Sequence, residues 1–374
     1  MDALTTPSNW QKVRLGDIIN IKHGRDYKNF KLGNIPVYGS GGYMLSINNF
    51  LHNGESVCIG RKGTIDKPIY LNGKFWVVDT LFYSYSFKKS IPKFIFYAFS
   101  IIKWSNYNEA TGVPSLTKMT ISNIEIPLPP LNEQIAIADI LSALDNYLHA
   151  LRALILKKEG VKKALSFELL SQRKRLKGFN QAWQRVKVKD FGIIITGSTP
   201  LTQISEYWNG TISWITPTDI NDNKDIFNSE RKITQKGLDT IRMIPKNSVL
   251  VTCIASIGKN AILRVNGACN QQINAIIPNK DFNADFIYYL MENNKQYLLG
   301  KAGVTATYII SKQVFEEIDF FVPKDLNEQI AIANILSALD HEIISLKNKK
   351  RQFENIKKAL NHDLMSAKIR VLKK

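Results

Sequence analysis

From Asn132 onward apolar residues fall at Ile137, Leu141, Leu144, Leu148, Leu151 and Ile155, separated by 4, 3, 4, 3 and 4 positions. That average of about 3.5 is the period of a coiled-coil seam and predicts one long helix. The seam breaks near Lys158 and Lys162, then resumes at Leu165 and Leu169. A second helix is predicted from Asn327 to about Arg370, with Ile332, Leu336, Leu339, Ile343, Leu346, Phe353, Leu360 and Leu364 on its seam. Asn132 is the expected N-cap, and Glu133 sets a carboxylate at the positive end of the helix dipole. Arg173, Lys174 and Arg175 followed by Gly178 read as the C-terminal end. At about 1.5 Å per residue, a helix of roughly 43 residues is about 65 Å long.

The two helices are copies. Residues 131 to 145 recur at 326 to 340 with one change, Asp139 becoming Asn334, at an offset of 195. The register holds through Val161-Lys162-Lys163-Ala164-Leu165 and Ile356-Lys357-Lys358-Ala359-Leu360, and on to Ser171 and Ser366, Arg175 and Arg370.

The segments between follow another pattern. Residues 1–130 read as a mixed domain of short strands such as Ser56-Val57-Cys58-Ile59 and Trp76-Val77-Val78, broken by glycine and asparagine turns, with a buried helix from Pro92 to Trp104. Residues 179–325 form a second domain that echoes the first weakly: Trp10, Asp17 and Gly24 correspond to Trp183, Asp190 and Gly197 at an offset of 173, and near the far ends Gly112-Val113 matches Gly303-Val304. The expected division is therefore 1–130, 131–178, 179–325 and 326–374. Because the connections are so short, each domain sits at a helix end. Antiparallel packing of the seams then gives an α+β protein: two mixed domains, joined and separated by two long coiled-coil helices, with approximate two-fold symmetry.

Composition narrows the partner. Lys and Arg number 50 against 32 Asp and Glu, a net charge of +18, which points to a polyanion: nucleic acid or an acidic membrane. No stretch approaches 18 apolar residues and the start Met1-Asp2-Ala3-Leu4 has no leader pattern, so a membrane role is not expected. Three cysteines without paired spacing fit a reducing cytoplasm. There is no Gly-x-x-x-x-Gly-Lys-Ser/Thr phosphate loop and no Asn/Asp-Pro-Pro-aromatic tetrad. His23, His52, His149, His341 and His362 show no ligand spacing. No catalytic residue, cofactor or metal is expected.

The order of variable domain, Glu-Gln helix, variable domain and Glu-Gln helix resembles the specificity subunit of type I restriction-modification systems. The residues that carry the likeness are Pro127-Leu128-Pro129-Pro130-Leu131-Asn132-Glu133-Gln134-Ile135-Ala136 and Val322-Pro323-Lys324-Asp325-Leu326-Asn327-Glu328-Gln329-Ile330-Ala331. Gly197-Ser198-Thr199-Pro200, Tyr207-Trp208, Trp214-Ile215 and Asn270-Gln271-Gln272 resemble the pattern of its target-recognition domains. Two departures stand out: Lys324-Asp325 where the family carries Pro-Pro, and Gly24-Arg25-Asp26-Tyr27 where Gly-x-Thr-Pro is usual. The resemblance implies a scaffold without catalysis of its own. Each recognition domain would read one half of a split double-stranded DNA target, and the helix pair would set the spacing. Two methyltransferase subunits would dock alongside, joined in the full complex by restriction and translocase subunits. The competing reading is an adaptor whose two domains bind proteins.

For DNA contact, domain 1 offers Arg25, Tyr27, Lys28, Tyr38, Ser40, Arg61, Lys62 and Thr64 in glycine-rich loops. There a backbone can approach closely, Arg can pair with guanine and Lys can neutralise phosphate. Residues 1–130 hold 15 basic and 8 acidic side chains, a net of +7; residues 181–325 hold 16 and 14, a net of +2. Contacts in domain 2 are therefore expected to be polar, from Thr216, Thr218, Lys259, Asn260, Gln271 and Gln272. Glu133, Gln134, Glu328 and Gln329 are the candidates for binding a partner subunit, their competing role being to favour the first helical turn. Lys162 and Lys357, on the seam, meet phosphate or a partner carboxylate, or snorkel outward.

Overall fold

The structure, a computed structural model, describes residues 9–221, 223–304 and 308–371. Residues 1–8, on which the expectation of no leader rests, lie outside the described residues. The chain forms two compact units, residues 1–153 with 347–374 and residues 154–346, so each unit takes half of each long helix.

The long helices are Leu131–Leu170 and Leu326–Met365. Each starts one residue before the position expected, because the cap precedes the asparagine. The Pro130 carbonyl accepts the N–H groups of Glu133 and Gln134, both at 3.0 Å, and Asn132 lies inside the first turn. In the second copy Asp325 takes that place. Its carbonyl accepts from Glu328 and Gln329 at 3.1 and 3.2 Å, and its carboxylate accepts the Asn327 N–H at 2.8 Å. The departure from Pro-Pro thus keeps the helix start and adds a negative charge where the dipole favours one. The helices also stop sooner than expected. Gln172 (φ 62°) and Ala367 (φ 57°), themselves 195 apart, take the left-handed turn expected of Gly178.

Within each unit the helix halves run antiparallel, since partner numbers fall as residue numbers rise. Glu133, Asp145 and Arg152 meet Arg370, Lys357 and Glu354 in one unit. Lys158, Lys162 and Arg175 meet Glu342, Asp340 and Glu328 in the other. Ile137, Leu141, Leu148, Leu151, Ile155, Leu169, Ile332, Leu336, Ile343 and Leu364 are buried on the seam.

The break in the seam holds an ion pair. Lys162 Nζ lies 2.5 Å from Asp340 Oδ1, and the Tyr289 hydroxyl donates to the same carboxylate at 2.6 Å. In the other unit Lys357 pairs with Asp145, which accepts from the Tyr97 hydroxyl at 2.7 Å. Both lysines also lie over the ring of that tyrosine, at 5.8 Å from Tyr289 and 5.6 Å from Tyr97. Burial first, and the carboxylate with it, pushes both phenols above the usual tyrosine range. The two clasps differ in exposure: the Asp340 side chain is 16% exposed and that of Asp145 37%. Tyr289→Phe is therefore expected to cost about 1.5–3 kcal/mol and Tyr97→Phe clearly less, because water screens and resolvates Asp145. Hydrogen exchange over helices Ala284–Asn293 and Pro92–Ile101 reads the two effects separately; equal losses would contradict this.

Each unit carries the same sheet. In the first its strand order is Ile19–His23, Leu81–Phe87, Ser56–Gly60, Ile69–Leu71; in the second, Gly192–Thr196, Ile273–Pro278, Ser248–Thr252, Asn260–Leu263, with Asp225–Ile226 added at the edge. A helix covers one face of each, Pro92–Ile101 and Ala284–Asn293. Each unit also has a second sheet with one parallel pair, four-stranded in the first unit and three-stranded in the second, Leu32–Gly39 beside Lys74–Val77 and Trp208–Ile215 beside Gly267–Cys269. The helix expected to reach Trp104 ends at Ile101, followed by a short 3-10 turn, Trp104–Tyr107. Cys58, Cys253 and Cys269 are buried core thiols, and burial pushes each up to about 12, far from nucleophilic range.

Candidate nucleic-acid interface

In the first unit the three loops singled out from the sequence converge on one turn, Val78–Leu81. The Arg25 N–H donates to Val77 O at 2.9 Å, and Trp76 Nε1 donates back to Arg25 O at 2.8 Å. The Arg61 N–H donates to Thr80 O at 2.8 Å, and its Nη1 to Asp79 O at 3.1 Å. Gly24 is needed where these strands cross: a Cβ there would lie 2.0 Å from Val78 O. Between the loop Asp26–Lys28, the hairpin tip Gly39–Met44 and this turn lies a cavity of about 760 Å³. Of the candidates, Tyr27, Lys28 and Ser40 line it; Arg25, Lys28 and Lys62 are exposed, and Arg61, Tyr27, Ser40 and Thr64 are half-buried. Tyr38 stacks edge-on to Tyr43 at 6.1 Å and packs against the core, as Tyr27 does beside Trp76 and Val78. Of the eight candidates, the cations Arg25, Lys28 and Lys62 are thus the most accessible, and Arg61 is half-buried.

The second unit builds the same crossing. The Gly197 N–H donates to Ile273 O at 3.0 Å, and the Cys253 N–H to Gln272 O at 2.8 Å. A Cβ on Gly197 would lie 2.1 Å from Asn270 O. Gln271 is exposed and accepts from the Thr199 hydroxyl at 2.6 Å; Lys259 and Thr218 are exposed as well. Thr216 is turned inward, its hydroxyl donating to Asp219 at 2.8 Å, and Gln272 is half-buried, accepting from Asn270 at 3.0 Å. Asn260 does not fit the expectation. It is 3% exposed and its amide nitrogen donates to Glu292 at 2.9 Å, which makes it a core residue tying a strand to the covering helix.

The Glu-Gln pairs also differ from the docking role expected of them. Glu133, Gln134, Glu328 and Gln329 are all at most 2% exposed. Glu133 takes Arg370 Nε at 2.7 Å and Trp10 Nε1 at 3.1 Å; Glu328 takes Arg175 Nη2 at 2.8 Å and Trp183 Nε1 at 3.3 Å. The amide nitrogen of Gln134 donates to Pro129 O and Lys89 O at 2.8 and 3.0 Å, and its oxygen accepts the Ile91 N–H at 3.1 Å. Gln329 makes the matching set with Pro323 O, Asp281 O and the Asn283 N–H at 3.1, 3.1 and 3.0 Å. With every polar atom committed inside its own unit, these side chains are unavailable to a docked protein. They seat the strands and helix of each mixed domain on the long helix.

Among the described residues no helix is long and apolar enough to cross a membrane. Comparison with known proteins accounts for the duplicated plan. The family described as type I restriction modification DNA specificity domain matches twice, over residues 7–158 and 180–355. The MjaIX specificity subunit of Methanocaldococcus jannaschii is 36% identical over 178 residues, spanning 46% of this chain and 40% of that protein. The MjaVIII specificity subunit of the same organism is 26% identical over 427 aligned positions, spanning 99% of this chain and 95% of the relative. The S subunit of a type I system from M. genitalium shares the fold with a TM-score of 0.70 at 15% identity over 97% of both chains. A chain from a structure of complex assembly and conformational transition in the type I R-M system aligns with a TM-score of 0.56 at 14% identity, covering 96% of this chain and 98% of that one. With two matches to one family spanning most of its length, this chain belongs to the type I restriction modification DNA specificity family.

Proposed function

We propose that this chain is the non-catalytic reader of a bipartite duplex DNA site, one half-site per mixed domain, within a type I restriction-modification complex. The observation that carries the reading is the recurrence of one loop crossing in both units with different side chains at its exposed positions: Arg25, Lys28 and Lys62 in one, Thr218, Lys259 and Gln271 in the other. A common frame bearing unlike donors and acceptors suits two unlike half-sites. The domain division 1–130, 131–178, 179–325 and 326–374 follows from this reading, with the paired helices as spacer and as the seat of two methyltransferase subunits. The charge difference, +7 against +2, makes the first half-site the more salt-dependent.

Selection from random duplexes, with the chain assembled with its methyltransferase partners, is expected to return two short blocks separated by a gap of indifferent sequence. A single contiguous block overturns the bipartite reading. Joint replacement of Arg25, Arg61 and Lys62 is expected to weaken binding at least tenfold and chiefly at one block. Unchanged DNA binding with retained protein partners would favour the adaptor instead.

A further inference from the structure

The correspondence between the two units assigns a residue that neither charge nor glycine pattern singles out. Four backbone contacts align the turns: Gly24 N–H to Leu81 O with Gly197 N–H to Ile273 O, Arg61 N–H to Thr80 O with Cys253 N–H to Gln272 O, Leu81 N–H to Val78 O with Ile273 N–H to Asn270 O, and Leu116 N–H to Arg61 O with Ile310 N–H to Cys253 O. The close approach of each glycine to the carbonyls of Val77 and Val78, or Cys269 and Asn270, makes a fifth. Asp79 therefore occupies the place of Gln271, and both are exposed.

Asp79 has no structural duty that accounts for it. Asp26 caps the Lys28 N–H at 3.1 Å and Asp219 caps Thr216 at 2.8 Å. The Asp79 carboxylate, among the described residues, accepts no hydrogen bond and joins no ion pair, and only its backbone carbonyl meets Arg61. It stands at the wall of the cavity shared with Lys28 and Tyr43, in the more basic of the two domains. A carboxylate there repels phosphate, so it weakens binding to arbitrary duplex. It is rewarded only where a base edge offers an amino group, the N4 of cytosine or the N6 of adenine. Gln271, whose oxygen already accepts from Thr199, keeps its amide nitrogen as an outward donor.

We propose that Asp79 and Gln271 are the paired base-reading positions of the two domains, Asp79 selecting cytosine or adenine, whose amino groups donate in the major groove, over guanine or thymine on the strand it faces. The proposal rests on the DNA-reading function above. It is tested by duplex selection with the complexes of the wild-type chain, Asp79→Asn and Gln271→Glu, each checked by thermal unfolding to keep the wild-type midpoint. Asp79→Asn is expected to relax or change one base position in one block, shifting discrimination there roughly 5- to 150-fold, while binding to unrelated duplex tightens. Gln271→Glu should change one position in the other block only. Wild-type selection profiles from both variants overturn the assignment while leaving the bipartite reading intact, and a wild-type chain that selects no blocks removes the reading beneath it.

Discussion

Glu328→Ala is expected to destabilise the unit that contains it by roughly 3–5 kcal/mol, read as a shift in the urea midpoint of that unit. The side chain is 1% exposed and holds the Arg175 guanidinium in two hydrogen bonds, at 2.8 and 3.3 Å, together with the Trp183 indole N–H. Removing it leaves a cation and an indole donor without an acceptor, in a place where water reaches only the edge of the arginine. Glu328→Gln keeps an acceptor for Trp183 and loses the charge, so it should cost about half as much. Glu133→Ala should repeat the effect in the other unit through Arg370 and Trp10. If glutamine costs almost nothing while alanine keeps its full effect, packing and the neutral acceptor rather than the charge pair hold the junction.

Gly24→Ala is expected to abolish reading of one half-site while sparing the other. The new Cβ would stand 2.0 Å from Val78 O and 2.3 Å from Val77 O, both backbone atoms that no rotamer change can move aside. The strand crossing must open, at a cost of about 3 kcal/mol or more, and opening it displaces Arg25, Arg61 and the turn Asp79-Thr80 together. Selection should then return only the block read by the second unit, with affinity for the full site down at least 100-fold, a loss of about 2.7 kcal/mol. Gly197→Ala should give the mirror result, since its Cβ would meet Asn270 O at 2.1 Å. Retention of both blocks by either variant would show that the crossing does not position the readers.

The long helices were legible in the sequence because a 3.5-residue period, sustained over many turns and then copied, suits a paired helix and no strand or loop. Their ends were less visible. The cap is a carbonyl of Pro130, which any residue could provide, and the stop is a left-handed Gln172, a residue type with no preference for that turn. Glu133 and Gln134 read as partner-binding candidates because local pattern says nothing of partners 237 and 45 positions away, Arg370 and Lys89. Asn260 misled for the same reason, its partner Glu292 lying on another element. At the interface, the glycine loops were found because glycine marks close approach. Asp79 was missed because Val78-Asp79-Thr80 shares no residue with Asn270-Gln271-Gln272, and only the hydrogen bonds reveal that the two are one turn.

The seating of each mixed domain on its helix has a further consequence. The helix side contributes a glutamate, a glutamine, an aspartate and an arginine or lysine, all within the copied stretch. The polar contacts that recur from the domain side in both units are an indole N–H from Trp10 or Trp183, a phenol from Tyr97 or Tyr289, and the backbone of residues 89 and 91 or 281 and 283, beside apolar packing against the helix. Two side chains and a short run of main chain are thus the polar specification that the two sockets share. Any sequence that folds to this sheet, keeps an apolar face toward the helix and offers that tryptophan and that tyrosine can plug in, which leaves the positions facing away from the helix open to drift without unseating the domain.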